Sequence, residues 1–264
     1  MISDFFLALL LALIQGLTEF LPVSSSAHLL FPSLLFGAKD FGIIFDISVH
    51  AGTLAAVIYY FKKELLELIR AWMPWTQSRN KESFLLGLNL IVATLPIVLV
   101  GLIASDFAES RSTNIDSIAW ANLIFAGLLY AAFKSSRQSK SLAELTLFAA
   151  LIIGCFQALA IFPGASRSGM AITGALIIGL NIKDTSRFAF LLSIPTILGA
   201  LVLMVAKGAY SISFSDMLVM LTGFIGSAFI AFITIKSFLQ FVEKIGMTPF
   251  VIYRVALGAL LLLI

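Results

Sequence analysis

Residues Gln15–His28 read QGLTEFLPVSSSAH, and they follow FFLALLLALI, residues 5–14, a run without a single charge. An apolar helix that runs into a carboxylate, a proline, three serines and a histidine is a helix interrupted inside an apolar segment. In hydrocarbon, an interrupted backbone is tolerated only where protein buries its free N–H and C=O groups or where it lines a watery cavity. The stretch therefore predicts a re-entrant hairpin, helix then turn then helix, over residues 5–36 of a membrane protein. Composition agrees. The 264 residues are 60% hydrophobic and 12% charged, with a mean hydropathy of +1.06, against roughly 25% charged residues in a soluble domain. The first 13 residues carry Asp4 and no Lys or Arg, unlike the basic start of a cleaved leader, so the first apolar segment is expected to stay. A net charge of +3 gives no reason to expect a nucleic-acid partner and fits membrane orientation instead. The single cysteine, Cys155, lies in an apolar run and reads as a small buried hydrophobe.

Working outward from that stretch, six segments approach the ~20 apolar residues of a membrane span: Asp46 to Phe61, Phe84 to Ala104, Ile118 to Phe133, Phe188 to Ala206, Met217 to Leu239, and Pro249 to Ile264. A second broken apolar region, Leu142 to Leu180, carries QALAIFPGASRSG at residues 157–169. It rhymes with the first break in Gln, Leu, Phe, Pro and Ser. The same order then occurs twice: broken hairpin, span, span, span. The predicted fold is an all-α polytopic membrane protein with an inverted-topology repeat, residues 1–140 and 141–264, each half a re-entrant hairpin plus three transmembrane helices. Interrupted helices in corresponding positions of such halves place a binding site near the midplane. If both hairpins return to the side they entered, one side collects Lys62, Lys63, Arg70, Arg79, Lys81, Lys134, Arg137, Lys140, Lys183, Arg187, Lys236 and Lys244. The other side receives Lys39, Arg111 and Lys207. Twelve against three predicts that the first set is cytoplasmic and that both termini lie outside. The segment KKELLELIR from Lys62 reads as an amphipathic surface helix, with Trp72 and Trp75 as interface anchors.

Ionisable groups within apolar segments are functional candidates by default. Here they are Glu19 and His28 around the first break, Arg167 in the second, Asp46 and His50 at the start of the next span, and Arg254 near the start of the last. Glu19 and Arg167 could be a buried ion pair stapling the hairpins, but Ser24, Ser25, Ser26, Ser166 and Ser168 crowd around them. Serines at a break serve as helix caps, yet five around two facing breaks ask for more. A guanidinium offers a planar fork of donors for phosphate oxygens, and helix N-termini after each break add N–H groups aimed at an anion. Ser25 and His28, at i and i+3, share a helical face if the second arm begins near Ser25. Ser25 could then attack phosphorus, with His28 or Glu19 as base, or with His28 protonating the leaving oxygen. Asp46 and His50, four apart, read as a local pair or as support for the site. Arg254 reads as an interfacial or interhelical anchor.

The motifs GLTEFLPVSSSAH and PGASRSG, with HAGTLAAVIYYF, FAFLLSIP and MTPFVIYR, resemble the bacterial undecaprenyl-pyrophosphate phosphatase family associated with bacitracin resistance, over essentially the whole chain. The resemblance implies an inner-membrane enzyme that removes the terminal phosphate of a C55 isoprenyl pyrophosphate and so recycles the lipid carrier of cell-envelope synthesis. It implies Ser25, His28, Glu19 and Arg167 as catalytic residues. It implies Ser24, Ser26, Ser166, Ser168, Gly169, Gln15 and Gln157 around the substrate. A divalent cation, Mg²⁺ or Ca²⁺, is also implied, with Glu19 and Asp46 as ligands. Gln15 stands where some members carry a second carboxylate, so Asp46 or the substrate's own phosphates would have to complete the ligand set. Ala27 replaces a glycine of other members. Expected partners are the polyprenyl pyrophosphate substrate and membrane lipids, with a homodimer kept open. The alternative reading is a transporter or flippase of polyprenyl phosphate lipids, which would need the Arg but no aligned hydroxyl.

Overall fold

Eleven α-helices build the described part of the chain, which in this computed structural model comprises residues 2–73, 80–104, 115–207 and 213–263. Trp75, Arg79 and Arg111 lie outside the described residues. The helices are α1 (Ile2–Thr18), α2 (Ser25–Phe36), α3 (Ile43–Tyr60), α4 (Lys62–Trp72), α5 (Lys81–Ile103) and α6 (Ile115–Ser135). After these come α7 (Leu147–Ala158), α8 (Arg167–Ile178), α9 (Ile182–Lys207), α10 (Phe214–Ile245) and α11 (Thr248–Leu262). Five of them, α3, α5, α6, α9 and α10, are long and apolar enough to cross a membrane. Helix α11, at the sixth predicted span, is a shorter apolar helix of 15 residues. The chain is a multi-pass membrane protein.

Both expected hairpins are present, and their arms end alike. The second arms, α2 and α8, are 12 residues each. Each starts after a serine in the left-handed region, Ser24 at φ 73° and Ser166 at φ 70°. Each stops at a left-handed glycine, Gly37 or Gly179, the residue that reaches that conformation without a Cβ clash. Each hairpin also closes on itself. Lys39, after α2, pairs with Asp4 at the start of α1 (3.6 Å). Lys140, ahead of α7, exchanges backbone hydrogen bonds with the end of α8, donating to Gly179 O (3.0 Å) and accepting from Asn181 N (2.8 Å).

Packing is by close approach of small residues, as expected where lipid is as apolar as leucine and packing must supply the attraction. A Cβ on Gly52 of α3 would strike Phe224 O and Ser227 of α10, and one on Gly154 of α7 would strike the Ala93 carbonyl of α5. Helix α1 lies along α10, α7 along α5, and α6 along α11. The main core includes Phe20, Val57, Leu129, Ile153, Leu176 and Phe190, all fully buried. At one end of the bundle, Arg187 of α9 grips both carboxylate oxygens of Glu64 on α4 (2.7–3.2 Å), a fork-to-carboxylate geometry stronger than a single contact. Cys155 is exposed, contrary to the expected burial. A membrane helix is apolar on its lipid side as well as its protein side, so apolar neighbours do not report which face a residue is on.

Candidate active site

The two breaks meet. Arg167, first residue of α8, extends Nη2 to Oε1 of Glu19 at 2.6 Å. Ser25, first residue of α2, donates from Oγ to Oε2 of Glu19 at 2.8 Å. Gln15, one turn back on α1, donates from Nε2 to the same Oε2 at 2.9 Å, and Nε2 of His50 lies 3.7 Å from it. Glu19 is 7% exposed. A carboxylate so placed is costly unless paired and hydrogen-bonded, and here both oxygens are engaged. Arg167 Nη1 is buried and has no hydrogen-bond partner among the described residues.

Apart from Gln15, which is buried behind Glu19, these groups border a cavity of about 620 Å³, within the ~300–1,000 Å³ of small-molecule sites. Glu19, Ser24, Ser25, Ser26, Ser166 and Arg167 all line it, as do Asp46 and His50. The N-terminal ends of α2 and α8 therefore both open on one chamber, the placement that favours an anion. The expected staple of Glu19 and Arg167 exists, and it forms part of the cavity wall.

Other contacts hold the two breaks in shape. Ser166 caps α8, its Oγ accepting from Gly169 N (3.1 Å) and lying 3.2 Å from Ser168 Oγ. Ser168 in turn donates to Leu21 O in the first break (2.8 Å), tying one hairpin tip to the other. Gly169 packs beneath; a Cβ there would approach Arg254 Nη1 at 3.0 Å and Ser166 Oγ at 3.1 Å. Ser24 makes no capping bond with its side chain; its Oγ sits 3.3 Å from Ser26 Oγ. Gln157 is fully buried, its Oε1 3.4 Å from Thr196 Oγ1.

His28 lies close to the site but faces elsewhere. Nδ1 is 2.7 Å from Ser24 O. A carbonyl only accepts, so Nδ1 carries the hydrogen and Nε2 is left to accept from Tyr253 OH, 2.5 Å away. The two rings stack at 9°. Both nitrogens are thus used away from Ser25.

His50 does not pair with the Asp46 side chain as its spacing suggested. Its Nδ1 meets the Asp46 backbone carbonyl one turn back (2.8 Å), which leaves Nε2 to face Glu19. Of the two readings of Arg254, the interhelical anchor holds and the interfacial one does not. The residue is fully buried, donating to Asn122 Oδ1 (2.8 Å) and to the carbonyls of Gly164 (2.9 Å) and Ala165 (3.0 Å), and so holds the second break from behind. Sequence reasoning missed Tyr253 and Asn122. Asn122, a buried amide within an apolar span, could have been found by extending the search from ionisable to all polar residues. Tyr253 carries no such mark, because a tyrosine near a helix end is ordinary.

Glu19 does not fit a divalent cation. Its oxygens already take donors from Arg167, Ser25 and Gln15, and a metal would have to displace a guanidinium. No group of three or more His, Cys, Asp or Glu able to hold a metal occurs among the described residues. Gln15 explains part of this: its amide donates to Glu19, where a second carboxylate would need a cation between the two.

Comparison with known proteins gives a consistent result. The family model of the bacitracin resistance protein BacA matches residues 8–260. A protein of Saccharophagus degradans named undecaprenyl-diphosphatase is 46% identical over 258 residues, 97% of this chain and 96% of the relative. Proteins of the same name from Alcanivorax borkumensis and Teredinibacter turnerae are each 45% identical, over 98% of both chains.

Proposed function

The chain belongs to the bacitracin resistance protein BacA family, and from that premise we propose how its site works as a membrane hydrolase that converts undecaprenyl pyrophosphate to undecaprenyl phosphate and inorganic phosphate. One observation carries the reading: a serine hydroxyl hydrogen-bonded to a buried carboxylate, itself held by an arginine, on the wall of a single cavity. A transporter of the same lipids needs the arginine but has no use for a hydroxyl aligned on a base.

In the proposed reaction, Arg167 and the α2 and α8 N-termini hold the diphosphate, the unpartnered Nη1 taking a phosphate oxygen. Ser25 Oγ attacks the terminal phosphorus as Glu19 Oε2 takes its proton; 2.8 Å is within reach for a general base. The bond from that phosphorus to the bridging oxygen breaks. The monophosphate lipid leaves with the electron pair, and Glu19 passes its proton to water. A water molecule then attacks the phosphoserine and gives its proton to Glu19, and Ser25 leaves and recovers a proton from Glu19. Gln15 and His50 hold the carboxylate in place. His28 and Arg254 are positioning residues for the first and second break.

The topology proposed around this site is the inverted repeat, residues 1–140 and 141–264, in the bacterial inner membrane with both termini outside. Exchanged packing supports it: α1 rests on α10 as α7 rests on α5, and α6 meets its counterpart α11. The matching arms and left-handed serines of the hairpins support it too.

The test is phosphate release from a long-chain isoprenyl pyrophosphate by the detergent-purified protein. Arg167→Ala is expected to lower kcat/KM by about 10²–10³-fold, and Glu19→Gln, which cannot take a proton, to lower kcat by about 10²–10⁴-fold. Substrate labelled in its terminal phosphate should leave label on rapidly quenched wild type and none on Ser25→Ala. Unchanged release by Arg167→Ala would defeat the assignment.

A further inference from the structure

Glycine inside a helix costs about 1 kcal/mol relative to alanine, so each one asks for a reason. Gly52, Gly154 and Gly258 have theirs in packing, since a Cβ would strike Phe224, Ala93 or Leu123. Gly101 of α5 and Gly199 of α9 do not: a Cβ on either meets nothing within 4 Å among the described residues. Both line the cavity that holds Ser25 and Arg167. Each also follows a proline of its own helix by about one turn, Pro96 in α5 and Pro195 in α9. A proline there removes a backbone hydrogen bond and bends the helix. Two walls of the cavity thus each combine a helix proline with a missing side chain about one turn further on. Gly127 also has open space, but it is exposed on α6 and does not line the cavity.

We propose that Gly101 and Gly199 keep open a lipid groove between α5 and α9 that receives the isoprene units beyond the first, and that their bareness decides whether a long tail is accepted. The proposal rests on the phosphatase reading above. The occupant follows from continuity. The cavity that begins at the serines and Arg167 is walled further on by Ile97, Val98, Leu102, Ile197, Leu201 and Met204, which offer a tail apolar contact and nothing to a free phosphate. The volume of 620 Å³ suits a head group and a short length of tail. The remainder of a C55 chain must lie in the bilayer, so it has to leave sideways past these two helices. Leu102 and Val202, both 59% exposed, flank that exit.

A leucine at either glycine would project into the groove. The experiment compares kcat/KM for a C55 pyrophosphate and for isopentenyl pyrophosphate, whose C5 tail stops short of the groove, in Gly101→Leu and Gly199→Leu. The C55-to-C5 ratio should fall about tenfold to a hundredfold, the scale on which one or two misplaced methylenes discriminate in an apolar pocket, while Gly127→Leu leaves the ratio as in wild type. An unchanged ratio in folded Gly199→Leu overturns the groove. If the leucine variants lose both substrates or fail to fold, Gly199→Cys in a Cys155→Ser background decides. Its maleimide labelling should slow in the presence of the C55 pyrophosphate and not with inorganic pyrophosphate; equal rates overturn the proposal. Lipid protection without phosphate release from any isoprenyl pyrophosphate would uphold the groove and defeat the phosphatase reading instead.

Discussion

At the scale of single residues, His28 separates two kinds of work that a sequence cannot tell apart. Its position three residues after Ser25 suggested proton transfer, yet its ring nitrogens meet Ser24 O and Tyr253 OH. Asparagine places an N–H close to where Nδ1–H lies and has no base of comparable strength. His28→Asn should therefore retain most of kcat with the pH profile unshifted, while His28→Ala, which frees the Ser24 carbonyl, should lose activity and thermal stability. If Asn and Ala variants are equally inactive and keep wild-type melting temperatures, His28 does proton chemistry. The sequence made Glu19, Ser25 and Arg167 legible because each is a polar group where hydrocarbon penalises one. It could not make Tyr253 legible, since its hydroxyl matters only through a partner 225 residues away in the chain. Nor could it orient His50, because spacing along a helix says which face a ring shares and not which nitrogen points where.

At the scale of elements, the breaks are the parts under strain. A serine at φ 73° occupies a conformation that costs an L-residue of order 1–3 kcal/mol, and the cost falls where α2 must begin for Ser25 to face Glu19. Ser24→Gly should relieve it, leaving the melting temperature equal or higher with activity largely kept, because the contact to His28 comes from the backbone. Ser24→Val, branched at Cβ, should lower both; a melting temperature for Ser24→Val equal to wild type would show that the turn is not strained. Hairpins and spans were readable from apolar runs punctuated by Pro and Ser, and α2 begins at Ser25, the condition under which Ser25 and His28 share a face. What hydropathy could not supply was rotation about each helix axis. Cys155, expected inside and found exposed, differs from expectation for that reason, and the same lack of rotation left Arg254 open between an interfacial and an interhelical place until its burial decided for the second.

Across the whole molecule, the proposed orientation sorts the charges to two sides. It puts Lys183, which meets Glu243 (3.9 Å), and Arg187, which meets Glu64, on the cytoplasmic side, and Lys39, which meets Asp4, outside. In a Cys155→Ser background, a membrane-impermeant maleimide added to intact cells should label Lys39→Cys and leave Lys63→Cys unlabelled. Labelling of both, or the reverse pattern, would overturn the proposed orientation. The proposed division into halves rests on a repeated order of hydropathy, but how the helices pack, α1 along α10 and α7 along α5, is a three-dimensional relation that no one-dimensional pattern encodes. The exposed thiol of α7 has a practical consequence. Nature has left this protein one sulfhydryl, on the exposed face of the first arm of the hairpin, close to the break that carries the arginine of the site. A reporter attached there, without altering any other residue, would sit in the acyl-chain region and sense the second hairpin shift as a head group arrives.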